Sequence, residues 1–177
     1  MPPAPYLVAA RPDQIDLAVA IDDDAARLYA EHGLDLALPA DHPFVVAEQA
    51  WWRAAAAAGR LVFAADAASP DRPLGFAAYG FLDGEPYLDQ LSVRRDAMRR
   101  GLGRALLAHA AAWAATHPSR TLWLTTYAHL PWNRPYYEQA GFTVVAPPHR
   151  PEMAATLADQ RSHLPLPDRR VAMRRTL

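Results

Sequence analysis

The segment that most constrains this chain runs from Leu91 to Leu107, where a strand-like Leu91-Ser92-Val93 enters a basic, glycine-containing turn and leaves it as a helix. The turn reads Met98-Arg99-Arg100-Gly101-Leu102-Gly103-Arg104. Glycines let a backbone approach an anion closely, and the free amides of a helix start point outward. The helix dipole adds about half a positive charge there, and Arg99, Arg100 and Arg104 add more. Taken alone, such a segment can hold a phosphate or be an ordinary strand-to-helix turn. It is not a dinucleotide fingerprint, because the frame starting at Gly101 has Leu106 where a third glycine belongs, and it lacks the Gly-Lys-Ser/Thr of a P-loop.

The elements around it alternate. Leu7 to Ala10 reads as a strand, and Leu17, Ile21 and Leu28 recur at helical spacing up to Gly33. Phe44 to Ala58 forms a second helix closed by Gly59. Leu61 to Ala65 and Leu74 to Tyr79 read as antiparallel neighbours, Asp83-Gly84 as the next turn, and Tyr87 to Val93 as the strand before the basic turn. A helix over Gly101 to Thr116 follows, then a strand at Leu122 to Thr126, a short helix at Pro135 to Ala140, and strands at Phe142 to Val145 and Val171 to Met173. The expected order is strand, two helices, three strands, helix, strand, helix, two strands. An α/β (α+β) fold is predicted, a mixed central sheet of about six to seven strands with helices on both faces.

A chain of 177 residues, 51% hydrophobic, is the size of one domain, so a single domain over residues 1–177 is expected. Its 18 basic and 19 acidic residues leave no global field for nucleic acid or an anionic membrane. Without cysteine there is no disulfide, thiolate metal site or cysteine nucleophile. Seven scattered histidines form no ligand pair, so no metal is predicted. Residues 1–6 lack the basic start and apolar stretch of a signal peptide, and no apolar run approaches a membrane span. A cytoplasmic, soluble protein is expected.

Some thirty residues past the turn comes Pro131-Trp132-Asn133-Arg134-Pro135-Tyr136-Tyr137-Glu138-Gln139-Ala140-Gly141-Phe142. Together the two segments resemble the acetyl-CoA-binding and C-terminal signatures of the GCN5-related N-acetyltransferase (GNAT) superfamily. The resemblance implies a GNAT fold and transfer of an acetyl group from acetyl-CoA to a primary amine by direct attack. It implies that the turn from Met98 to Gly103, with Arg104, binds the pyrophosphate of coenzyme A. Leu91, Ser92 and Val93 would pair through their main chain with the pantetheine arm, mimicking an added strand. Asn133 joins the cofactor-binding set. Met98 departs from the family's usual Gln or Arg, so Arg99 or Arg104 would supply the missing charge.

Tyr137 aligns with the tyrosine that protonates the departing thiolate in many family members. A phenol of pKa about 10 can donate to a sulfur whose free thiol has a pKa of about 8.5. An alkylamine of pKa about 10.4 must in turn lose a proton before it attacks. Asp89, on the strand beside the acetyl site, is the first candidate base, ahead of Glu31, Glu48 and His129. The acceptor side would be built from the two N-terminal helices, where Asp22, Asp23, Asp24, Tyr29, His32, His42, Trp51 and Trp52 cluster; the three consecutive aspartates read more simply as an acidic helix surface.

The expected partner is thus a small-molecule or peptide amine, with no nucleic acid and no membrane, and a homodimer is left open. Two rival readings remain: a coenzyme-A-binding regulatory module without catalysis, and an unrelated nucleotide-binding fold that uses the basic turn.

Overall fold

The helices follow from where small and branched apolar side chains recur, and the structure, a computed structural model, describes residues 5–177. The reading of residues 1–4 as lacking a leader lies outside the described residues. Helix α1, Ile15–Glu31, buries Ile15, Ala18, Ile21 and Ala25, a stripe spaced three and four residues apart. Leu17, expected on that stripe, lies off it and is 41% exposed. Helix α2, Pro43–Ala57, starts with Pro43 at its first position, and the His42 Nδ1 accepts the Phe44 N–H at 3.2 Å.

The sheet has seven strands: β1 Tyr6–Ala9, β2 Leu61–Ala65, β3 Pro73–Leu82, β4 Glu85–Val93, β5 Thr121–Tyr127, β6 Thr143–Val145 and β7 Arg170–Thr176. Their order is β1-β2-β3-β4-β5-β7-β6. β2 pairs antiparallel with β1 and β3, as the turn chemistry between Leu61 and Tyr79 predicts. β5 pairs parallel with β4, which makes the sheet mixed, and β7 lies antiparallel between β5 and β6.

Two compact units organise the chain. The first runs up to Tyr79 and takes in Gln90–Ala110, and the second comprises Gly80–Asp89 and Ala111–Leu177. In the first unit, α1 and α2 cover one sheet face through a core of Ile15, Ile21, Trp52, Leu61, Phe63 and Phe76. Trp52 meets Phe76 edge-on at 5.1 Å. Trp52 is thus a core residue, which answers its placement on an acceptor face. The other face meets helix α3, Leu102–Ala115. Gly75 shows this, since a Cβ there would point at Leu106 Cδ1, 3.3 Å away.

In the second unit Leu122 and Leu124 of β5 are buried with Met173 of β7. The short helix α4, Arg134–Gln139, closes at Gly141 in the left-handed region (φ 89°). One element departs from expectation: helix α5, Pro151–His163, which the sequence order omits. It buries only Met153 and Leu157, one pair four residues apart, so its periodicity is faint. Its N-cap is supplied from elsewhere in the chain. Asp83, in the β3–β4 turn, accepts the Glu152 N–H at 2.9 Å and the Met153 N–H at 3.0 Å, while its own N–H donates to the Glu152 carboxylate.

Candidate active site

The strand-to-helix turn begins where β4 ends. The Arg95 N–H donates to Asp24 Oδ2 at 2.8 Å and its guanidinium pairs with Glu31 at 2.8 Å, which fixes the start of the turn to α1. Glu31, a candidate base, is thereby engaged as an ion-pair partner. Ala97 is buried and Met98 half-buried, so the turn sits on an apolar footing. Met98 is extended (φ −62°, ψ 157°), Arg99 is left-handed at φ 62° and Gly101 at φ 83°. A left-handed non-glycine residue costs about 1 kcal/mol or more, and such strain gathers where a backbone must present its amides in one direction.

Beyond Gly101 the Ala105 N–H makes the first helical bond, to the Gly101 carbonyl at 3.0 Å. The amides of Leu102, Gly103 and Arg104 fall in the first turn of α3, where no intrahelical carbonyl exists to receive them. Leu102 is buried as an anchor, whereas Gly101 and Arg104 are exposed. The three arginines differ in state. Arg100 is committed to Asp66 at 2.6 Å, whereas Arg99 and Arg104 make no ion pair among the described residues. The local charge open to an anion therefore comes from Arg99, Arg104 and the helix start.

On β4, Leu91 and Val93 are partly buried and Ser92 is 5% exposed. The Ser92 hydroxyl donates to Asp22 Oδ1 at 2.6 Å, and the Gln90 amide donates to the same oxygen at 2.6 Å and to Ser92 Oγ at 3.0 Å. Asp22 is therefore no solvated surface residue of α1. Burial pushes its carboxyl above the usual aspartate range, the Ser92 and Gln90 hydrogen bonds pull it back, and neighbouring Asp23 pushes it up again. Sequence reasoning passed over this residue because an Asp-Asp-Asp run on a helix looks like solvent-facing charge; the polar pair Gln90 and Ser92 at i, i+2 on β4 was the available signal. It also passed over Gly75 on β3, where a Cβ would stand 2.9 Å from the Ser92 carbonyl oxygen and 3.1 Å from Val93 Cγ2.

The residues from Leu91 to Arg104 thus belong to the first unit, while Asp89, Asn133 and Tyr137 belong to the second. Asp89 directly follows Tyr87 and Leu88, which register with Trp123 and Leu124 of β5. The buried Tyr87 phenol is pushed far above its ordinary value by desolvation and then by the Asp89 charge, against the pull of Thr125, Arg170 and Gln160. It stays neutral and shares a 3.3 Å hydrogen bond with Thr125 Oγ1. Asn133 is 7% exposed, and its carbonyl accepts the Tyr137 N–H at 3.1 Å. The Tyr137 ring stands edge-on to Tyr136 at 5.2 Å and to Phe142 at 5.7 Å, and its carbonyl accepts the Phe142 N–H at 3.0 Å. The Asn-Tyr and Gly-Phe parts of the motif are therefore one folded piece around Tyr137. His129 is exposed and packs edge-on against Tyr127 at 5.7 Å.

Among the described residues, no group of three or more His, Cys, Asp or Glu side chains could hold a metal ion, and no helix is long and apolar enough to cross a membrane.

At the end of β4 the basic turn and the open start of α3 together suit an anionic ligand. The chain belongs to the acetyltransferase (GNAT) family, whose model matches residues 26–142. That membership displaces the rival nucleotide-binding fold. The fold is shared with the PaiA N-acetyltransferase from Thermoplasma acidophilum, solved with coenzyme A, at 11% identity over 99% of this chain and 100% of that one (TM-score 0.66). It is also shared with the ribosomal-protein-S18-alanine N-acetyltransferase from Escherichia coli, at 18% identity over 98% and 96% (TM-score 0.63). N-acetylglutamate synthase from Neisseria gonorrhoeae, solved with coenzyme A and N-acetyl-glutamate, matches at 15% identity over 99% of this chain but 35% of its own length (TM-score 0.65).

Proposed function

We propose that this chain is an N-acetyltransferase that carries the acetyl group of acetyl-CoA to a primary amine of a small molecule or peptide, by direct attack and as a single domain. The observation that carries this reading is the turn from Met98 to Gly103. Two left-handed residues and the open first turn of α3 present amides outward, flanked by two arginines that no acidic side chain among the described residues neutralises. Such a run of open amides beside two arginines suits a pyrophosphate. The parallel ladder to β5 holds the first half of β4, at Tyr87 and Leu88, which supports assigning the main chain of Leu91, Ser92 and Val93 to the pantetheine arm. Leu91 and Val93 side chains can remain packed while their backbone binds.

The family motif supports Tyr137 as the proton donor to the departing sulfur and Asn133 as part of the cofactor-binding set. Asp89 is the candidate base read from the sequence. Calorimetric titration with acetyl-CoA and with ATP tests the cofactor: binding of acetyl-CoA alone is expected, and binding of ATP in its place overturns the reading. Thiol release across polyamines, amino acids, aminoglycosides and peptide N-termini then tests transfer. Tight binding with no release with any amine would favour the regulatory module.

A further inference from the structure

Gln90 and Ser92 lie two residues apart on β4, so their side chains leave the same face of the strand. Both donate to one oxygen of Asp22, each at 2.6 Å, and they are bonded to each other at 3.0 Å. Asp22 Oδ1 therefore lies against the face of β4 that carries Gln90 and Ser92. That oxygen is saturated by these donors, and Asp22 Oδ2 has no hydrogen-bond partner among the described residues. Resting on the acetyl-transfer reading above, we propose that Asp22 is the catalytic base that takes a proton from the ammonium group of the acceptor, and that the acceptor is accordingly an alkylamine.

The neighbouring carboxylates make the contrast. Asp24, two residues on, is fully used as a tether, accepting the Arg95 N–H at 2.8 Å and facing Arg27 at 3.9 Å. Glu31 is held by Arg95. Asp89 leaves β4 on the face opposite Gln90 and Ser92, the face of Tyr87. Against Asp24 and Glu31, Asp22 combines partial burial, one oriented oxygen and one oxygen without a hydrogen-bond partner among the described residues, beside the strand that would hold the thioester. Its raised affinity for protons, which burial causes, moves it toward the working range of a general base. The groups facing it are Gln90 and Ser92 from β4 and Asp23 on its own helix; no cation pairs with it among the described residues.

In the step, the acceptor ammonium gives one proton to Asp22 Oδ2, and the freed nitrogen pair forms the C–N bond to the acetyl carbon. The C–S bond breaks with its electrons on sulfur. The sulfur leaves as a thiolate and takes up a proton equivalent to the second one that leaves nitrogen, and Asp22 returns its own to solvent. Asparagine at position 22 keeps an oxygen for Ser92 and Gln90 but cannot accept the proton.

The test uses the full chain with saturating acetyl-CoA, comparing spermidine, kanamycin and an alanine-initiated tetrapeptide with hydroxylamine, a nucleophile that is already neutral at pH 7. Asp22→Asn is expected to lower kcat/KM about 100-fold for whichever alkylamine reacts and to abolish the acid limb of its pH profile. Thiol release by hydroxylamine and calorimetric affinity for coenzyme A should stay within about threefold of the parent chain. Undiminished alkylamine turnover in Asp22→Asn, or an equal loss with both kinds of nucleophile, would overturn the proposal. So would transfer of the lost limb to Asp89→Asn. A parent chain that binds acetyl-CoA yet releases no thiol with any amine would instead overturn the acetyl-transfer reading itself.

Discussion

Asp83 and Glu152 cap each other across 69 positions of sequence: the Glu152 N–H donates to Asp83 Oδ1 at 2.9 Å while the Asp83 N–H donates to the Glu152 carboxylate. Asp83 also receives the Met153 N–H, so a β-turn residue satisfies the opening amides of α5. Removing the carboxylate in Asp83→Ala should cost about 1–2 kcal/mol, the usual range for a lost N-cap. Urea unfolding should show the lower midpoint with an unchanged slope, and a variant as stable as the parent would mean that water caps α5 equally well.

Gly75→Ala probes how closely β3 approaches β4. The added methyl would meet the Ser92 carbonyl at 2.9 Å, with Val93 and Leu106 also crowding it. Main chain cannot rotate away as a side chain can, so the change should destabilise by about 1–3 kcal/mol. Because Ser92 lies in the strand assigned to the pantetheine arm, calorimetry should also show weaker coenzyme A binding. Unaltered stability and affinity would show that the strands part at little cost.

Tyr137→Phe keeps the edge-on contacts to Tyr136 and Phe142, since only the hydroxyl is lost. If that hydroxyl protonates the leaving sulfur, kcat should fall roughly 100-fold while the dissociation constant of acetyl-CoA stays put. Steady-state kinetics beside calorimetry separates the two, and equal turnover would assign Tyr137 to packing alone.

Asp22 has a pH signature of its own. Its carboxyl is raised in the folded chain, so the folded state binds the proton more tightly than the unfolded one. The stability linked to it is full below the ordinary aspartate range and is lost as pH rises through the raised value. Thermal melts carried from the ordinary aspartate range upward in pH should therefore show Asp22→Asn gaining on the parent chain as the pH increases. A parallel pair of curves would mean that the buried carboxyl titrates normally.

The chemistry legible in the sequence was the chemistry carried by contiguous residues. The turn from Met98 to Gly103 could be read because glycines, arginines and a helix start adjoin one another, and the Pro131 to Phe142 motif folds onto itself around Tyr137. Strand pairing between Leu61 and Tyr79 was equally local. Helix α5 was not legible, since its cap residue lies 69 positions upstream and its apolar stripe is two residues long. Asp22 was hidden for the same kind of reason, its meaning being fixed by Gln90 and Ser92, some 70 positions away. Trp52 and Leu17 show the converse error, in which type and spacing suggested an exposed or buried side chain and packing decided otherwise.

The placement of β7 has a consequence for the order of folding. Residues 170–176 fill the gap between β5 and β6, bonding to both. Until that segment docks, β5 and β6 each present an unsatisfied edge that any extended peptide nearby can occupy. Completion of the second unit thus waits on the docking of β7, and deletion of residues 170–176 should yield aggregation in place of a partly working protein.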